Sequence, residues 1–144
     1  MKLATFDAGS GPEIGIVEGD QIVPVSRLAS GMLDLIARWP SLEGGMRQLA
    51  ERREDAVPLS SVRLLAPVPR PGKILAIGLN YADHIREMGR DMPTKQVWFC
   101  KHTTAVNAPF APIEIPKVSS QVDYEVELVA VIGRGGRHIA REDA

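Results

Sequence analysis

The sequence predicts an α+β protein, because short apolar stretches with strand character come first and helical periodicity follows. Three such stretches open the chain, separated by turn residues, at positions 2–6, 14–17 and 21–25. Gly19-Asp20 joins the last two as a tight hairpin turn. The first part of the chain is therefore predicted to be a β-meander that leads into helices.

The apolar spacing lengthens from Met32 onward to the spacing of one helical face. Ser30 is a predicted cap for this helix, and Pro40 is a predicted stop because proline removes a backbone donor. A second helix is predicted after Ser41. It ends in the charged run at 51–55, which is interpreted as a solvated face.

Prolines punctuate the next stretch and keep it extended, so a connection between two domains is predicted near residues 66–72. The predicted domains are a small amino-terminal unit, 1–66, and a second unit, 67–144. Four elements are predicted in the second unit: a strand at 73–77, a helix at 81–88, a strand at 97–100 and a long, β-branched strand at 122–132.

Composition limits the class of protein. At 144 residues, with 44% hydrophobic and 24% charged residues, the chain resembles an ordinary folded globular protein. A formal net charge of -1 gives no general attraction for nucleic acid or an anionic membrane, and neither is expected as a partner. The single cysteine, Cys100, excludes an internal disulfide and favours a reducing compartment, which we expect to be the cytoplasm. No signal peptide or membrane span is predicted.

Three acids alternate along the predicted strand at 122–132. Strand geometry would place Asp123, Glu125 and Glu127 on one face, where ionised carboxylates repel one another unless water, protons or a cation intervene. A hard cation such as Mg2+ or Mn2+ prefers such oxygen ligands. The alternative is an exposed polar face, but the Val-Ala-Val-Ile run that follows is predicted to be buried and favours a partnered site.

A second candidate cluster lies on the predicted short helix. His84 and Glu87 are three residues apart, so they share a helical face and suit a histidine base oriented by a carboxylate; a plain surface pair has the same spacing. Lys101 follows an apolar strand and could face an anionic substrate or simply solvent. Cys100 lacks the surroundings of a nucleophile and is expected to be packed inside.

Taken together, three stretches in this order resemble the fumarylacetoacetate hydrolase family. They are Lys-Ile-Leu-Ala-Ile-Gly-Leu-Asn-Tyr-Ala-Asp-His-Ile-Arg-Glu-Met at 73–88, Trp-Phe-Cys-Lys at 98–101 and Val-Asp-Tyr-Glu-Val-Glu-Leu-Val-Ala-Val-Ile-Gly at 122–133. Residues 1–65 resemble, more loosely, the small amino-terminal domain of the family's bacterial two-domain members. The implied fold of the second unit is the start of a mixed β-roll catalytic domain.

The resemblance also implies roles for individual residues. Glu125 and Glu127 match two of the family's ligands for Mg2+ or Mn2+. His84 and Glu87 match the pair that activates water or moves a proton, and Lys101 matches a substrate-facing lysine. Asn80 and Tyr81 match the motif and are expected only to position other groups.

The family's third metal ligand, an aspartate, would lie beyond Ala144, so the chain is expected to be a fragment that is inactive alone. The implied function is hydrolytic C-C cleavage of a small 2-oxo or 1,3-dicarbonyl acid of the acylpyruvate or fumarylacetoacetate type. Isomerase, decarboxylase or lyase activity on a related acid is an alternative, and a non-catalytic fragment or binding module is another. The family further implies a homodimer.

Overall fold

The computed structural model describes residues 1–144 and contains two antiparallel sheets and three α-helices. The strands are β1 (Lys2–Asp7), β2 (Pro12–Glu18), β3 (Gln21–Pro24), β4 (Val57–Pro58), β5 (Arg63–Leu65), β6 (Ile74–Gly78) and β7 (Val97–Lys101). The helices are α1 (Met32–Ala37), α2 (Trp39–Arg52) and α3 (Ala82–Glu87). Single 3-10 turns lie at Leu59–Ser61, Thr103–Ala105 and Arg141–Asp143. The predicted α+β class is confirmed.

The larger sheet has five strands in the order β4-β3-β2-β1-β5. The predicted meander forms its centre, because consecutive strands joined by short turns pair antiparallel. The two outer strands come from the proline-rich stretch that was predicted only to be extended. β5 returns to pair with β1, with Thr5 opposite Leu65. The sheet therefore brings the beginning and the end of the first part of the chain, β1 and β5, side by side.

The hydrophobic core lies between this sheet and the first two helices. Alternate residues of β2 and β3 face residues spaced by three and four along α1 and α2, as expected for one buried face of each element. Burying each large aliphatic side chain stabilises the fold by about 1.5–3 kcal/mol. Ten buried residues form this cluster: Ile14, Ile16, Val23, Val25, Ala29, Met32, Leu35, Leu42, Met46 and Leu49.

Two details of the predicted helices were wrong. Pro40 does not stop a helix but lies in the first turn of α2, where its missing N–H would have had no helical partner. Ser30 is not the cap of α1; its N–H and hydroxyl instead donate to the carboxylate of Asp34 within the first turn. None of the helices has the length and apolar character that crossing a membrane requires.

The turn between β1 and β2 is fixed by the side chain of Asp7. Its carboxylate accepts hydrogen bonds from the N–H groups of Gly9 at 2.8 Å and Gly11 at 3.2 Å, and from the guanidinium of Arg63 at 2.9 Å. The Gly9 N–H, and after it Arg63, lowers the pKa of Asp7 below the ordinary value of a carboxyl group. An ionised carboxylate therefore joins the turn to β5.

The second sheet consists of two antiparallel strands, β6 and β7, and the connection between them contains α3. Both strands and α3 were predicted within a residue or two of their observed bounds. All five residues of β7 are exposed, including Cys100, which was wrongly expected to be packed inside. Ile85 on α3 is the only buried residue beyond Ala66. The second part of the chain therefore has almost no core of its own.

The long strand predicted at 122–132 is absent. These residues form neither helix nor strand, and the apolar run expected to be buried is exposed, with Leu128 92% and Ile132 76% accessible. A strand exists only through hydrogen bonds to a neighbouring strand, and no strand of this chain lies beside this segment. The high β-propensity of the segment is therefore not enough to make it a strand.

The close approach at Gly15 gives a stability test. A Cβ there would lie 2.6 Å from Cγ1 of Ile22 and 2.9 Å from the carbonyl oxygen of Val23, whereas a Cβ at Gly44 on α2 meets nothing. Gly15→Ala should lower the free energy of unfolding by about 1–3 kcal/mol through overpacking. Gly44→Ala, the matched control, should raise it by about 0.5–1 kcal/mol. Urea unfolding followed by circular dichroism measures both; equal stability of the two variants would contradict the packing described for β2 and β3.

Candidate functional site

The approach to α3 is a sharp turn out of β6. Leu79 has φ of 55°, a left-handed backbone conformation that costs a residue with a side chain about 1–2 kcal/mol. The carbonyl of Tyr81 then accepts the N–H of Ile85 at 3.1 Å and opens the helix. Burial of Ile85 holds α3 against the rest of the chain, which leaves the neighbouring His84 side chain at the surface.

His84 and Glu87 lie together, as the spacing predicted. Nδ1 of His84 is 3.9 Å from Oε2 of Glu87, within ion-pair range but longer than a hydrogen bond. Both side chains are half or more exposed. Asp83 and Arg86 form a second ion pair on the same helix, so Arg86 does not compete for Glu87. The arrangement leaves the imidazole accessible to a small molecule and places a carboxylate where it can orient the ring.

A cavity of about 240 Å³ lies where β6 ends. The residues that line it include Leu79 and Asn80 of the turn, and Lys95. Lys95 is not among the predicted site residues, because the stretch around it has neither helical nor strand periodicity. Its place after a proline in an irregular segment was the only available signal. The eight residues that line the cavity are Ile77, Gly78, Leu79, Asn80, Pro93, Thr94, Lys95 and Gln96.

Lys101 is exposed and lies at the end of the two-stranded sheet that is opposite the small cavity. The register pairs Lys101 with Ile74 and Val97 with Gly78, so the lysine is at the end of the sheet away from the turn into α3. No hydrogen bond or ion pair joins the side chain of Lys101 to another residue. The structure therefore brings His84 and Glu87 together and does not add Lys101 to them.

Glu125 and Glu127 are both exposed within the segment that has no strand partner. Their carboxylate oxygens are the donor type that Mg2+ and Mn2+ prefer. The number of donors is insufficient, because no group of three or more histidine, cysteine, aspartate or glutamate side chains converges anywhere in the chain. The residues present therefore do not complete a metal site.

A second, larger cavity has a volume of about 710 Å³. It is formed by the outer edge of the five-stranded sheet near Leu59 and Arg63 and by the loop around Phe110. None of the predicted site residues lines it. The smaller cavity is likewise lined by none of the predicted catalytic or metal-binding residues, but it lies at the turn that leads from β6 into α3.

Two family models match the chain. The Fumarylacetoacetate (FAA) hydrolase C-terminal model matches residues 73–144, and the Rv2993c-like, N-terminal model matches residues 1–67. The first match includes α3, the small cavity and the Glu125–Glu127 segment. The chain belongs to the fumarylacetoacetate hydrolase family.

Relatives align with all or nearly all of the chain. The mitochondrial oxaloacetate tautomerase FAHD2A of Bos taurus is 35% identical over all of this chain and 48% of its own length. The fumarylacetoacetate hydrolase domain-containing protein 2 homolog of Dictyostelium discoideum is 32% identical over 91% of this chain and 42% of its own. The chain thus spans about half the length of these relatives.

A solved structure has the same fold. Maleylpyruvate hydrolase from Sphingobium sp. SYK-6, in complex with manganese(II) and pyruvate, superposes with a TM-score of 0.66 at 31% identity, over 81% of this chain and 43% of that one. The predicted β-roll relationship is therefore supported by structure as well as by sequence. The Bos taurus and Homo sapiens relatives carry the word mitochondrial in their names, whereas the cytoplasmic location predicted for this chain stays a prediction.

Proposed function

We propose that the protein is an enzyme of small 2-oxo acids in which His84 carries a proton and Glu87 orients its imidazole. The observation that carries the proposal is the 3.9 Å contact of Nδ1 and Oε2 on α3, within the part of the chain matched by the catalytic family model. The relatives named above support the substrate class, since one is an oxaloacetate tautomerase and another a maleylpyruvate hydrolase.

Both named reactions move a proton to or from the carbon next to a ketone. In C-C hydrolysis of an acylpyruvate, water adds to the acyl carbon, the C-C bond breaks, and its electron pair passes to the pyruvate enolate, which then takes a proton. In tautomerisation of oxaloacetate, a proton leaves the same kind of carbon and the keto oxygen gains one. A histidine with accessible nitrogen atoms can perform this transfer in either reaction.

C-C hydrolysis is our first candidate reaction, in line with the solved maleylpyruvate hydrolase. Tautomerisation is the second and is favoured by the relatives that cover the whole chain. Release of pyruvate from an acylpyruvate distinguishes the two, because tautomerisation breaks no C-C bond. A non-catalytic binding role is the remaining alternative, and the convergence of His84 and Glu87 argues against it.

A divalent cation is part of this proposal, with Glu125 and Glu127 as two of its oxygen ligands. The manganese(II) in the related hydrolase supports a divalent metal, and the donor type suits Mg2+ equally. Since two carboxylates do not close a coordination sphere, further donors are required. The roles proposed for the residues of this chain in the reaction are proton transfer and substrate binding. The homodimer implied by the family is likewise a proposal.

The proton-transfer role is tested with His84→Ala in the full-length protein. Turnover should fall about 100-fold or more, the usual contribution of a general acid or base, while Mn2+ affinity stays unchanged. The substrates are an acylpyruvate and oxaloacetate, followed by pyruvate release and by enol absorbance. His138→Ala, which removes an exposed imidazole outside α3, is the matched control and should leave turnover unchanged. Loss of Mn2+ binding in His84→Ala would show instead that His84 is a ligand.

The metal role is tested with Glu125→Gln and calorimetric titration with Mn2+ and Mg2+. Removing one charged ligand should weaken binding about tenfold or more, since affinity for hard cations depends on ligand charge. Glu114→Gln, an exposed glutamate outside the segment, is the control. Unchanged affinity in Glu125→Gln would mean that other carboxylates hold the cation.

Two lysines compete for the substrate carboxylate. Lys101 has the family motif in its favour, whereas Lys95 lines the smaller cavity. We assign the role to Lys95, because this cavity lies at the turn into α3 and Lys101 lies at the opposite end of the sheet. Lys95→Met should raise KM about tenfold with kcat little changed, and Lys101→Met should change KM less. The reverse order would return the assignment to Lys101.

A further inference from the structure

A single hydrogen bond joins the Glu125–Glu127 segment to the rest of the chain. The N–H of Leu128 donates to the hydroxyl of Tyr81 at 3.0 Å. No other hydrogen bond and no ion pair connects residues 122–132 with anything outside the segment. This contact is therefore the one hydrogen bond that ties the acidic segment to the residue preceding α3.

Tyr81 belongs to both halves of the candidate site. Its carbonyl accepts the N–H of Ile85 at 3.1 Å and so opens α3, the helix that carries His84 three residues further on. Its hydroxyl binds the peptide N–H that directly follows Glu127. One residue thus links the helix of the proton-transfer pair to the proposed metal carboxylates.

Apolar packing around Glu125 and Glu127 contributes little to holding the segment in place. The apolar side chains around the two acids are largely accessible, at 85% for Tyr124, 85% for Val126 and 92% for Leu128, although Val122 and Val131 at the ends of the segment are about half covered. Ordering an extended segment has an entropic cost that must be offset by contacts. The phenol is suited to this because a rigid ring with two rotatable bonds loses little freedom when its hydroxyl is bound.

We propose that Tyr81 is a positioning residue that holds Glu125 and Glu127 beside α3 through the Leu128 peptide. The inference rests on the proposed function, since the distance it sets matters only if the acids and His84 serve one reaction. Tyr81 touches neither substrate nor cation in this account. Its hydroxyl fixes the backbone that carries the carboxylates.

Amide hydrogen exchange, resolved by NMR on the 144-residue chain, tests the contact itself. In the unaltered protein the Leu128 amide should exchange more slowly than those of Val126 and Ala130, which have no hydrogen-bond acceptor. Tyr81→Phe removes only the hydroxyl and should speed Leu128 exchange about fivefold, the factor expected for one ordinary hydrogen bond. Tyr124→Phe removes the other tyrosine hydroxyl, which has no partner, and should change nothing.

Mn2+ affinity of the full-length protein is the functional measurement. Tyr81→Phe should weaken it about fivefold while the unfolding midpoint without metal stays unchanged, and Tyr124→Phe should alter neither. Leu128 exchanging as fast as its neighbours in the unaltered protein, or insensitive to Tyr81→Phe, would overturn the proposal, as would unchanged Mn2+ affinity. If Glu125→Gln also leaves Mn2+ affinity unchanged, the proposed metal role fails, whereas the exchange result on Leu128 still decides whether the contact exists.

Discussion

Burial of apolar side chains between the five-stranded sheet and the helices α1 and α2 is the constraint on which the structure depends. All but one of the buried residues lie within residues 1–66, and the outer strands β4 and β5 complete the sheet that covers them. This part of the chain can therefore keep its shape through its own core. We propose that it is a separate domain, with the boundary between the ranges of the two family models.

The second part of the chain is held by different forces. In its two-stranded sheet, β7 is exposed throughout, and Ile85 is the one buried residue of α3. One hydrogen bond joins the acidic segment to Tyr81. A two-stranded hairpin has little independent stability, so the relative positions of its functional groups depend on a few polar contacts and one apolar anchor. The proposed active-site residues are thus in the least stabilised part of the structure, where single contacts such as that of Tyr81 have large geometric consequences.

The elements that local sequence predicts well are those stabilised by near neighbours. The meander, α3 and the spacing of His84 and Glu87 follow from periodicity and turn residues, because their partners lie close in sequence. The strand predicted at 122–132 failed because pairing is a non-local property. Lys95 was overlooked for a related reason: only the fold brings its irregular segment against the end of β6. Glu125 and Glu127 were predicted as metal ligands from strand alternation and from family motifs; the alternation argument lost its basis with the absent strand, so this prediction now rests on the motifs.

The central claim is that His84 and the Glu125–Glu127 pair belong to one site. Paramagnetic broadening tests it most directly, by adding Mn2+ to the full-length protein and following the imidazole Cε1 proton of His84 by NMR. The account predicts strong broadening of this signal at saturating Mn2+ and its loss in a Glu125→Gln, Glu127→Gln variant. A His84 signal that stays sharp at saturation, or broadening that persists in that variant, would contradict it.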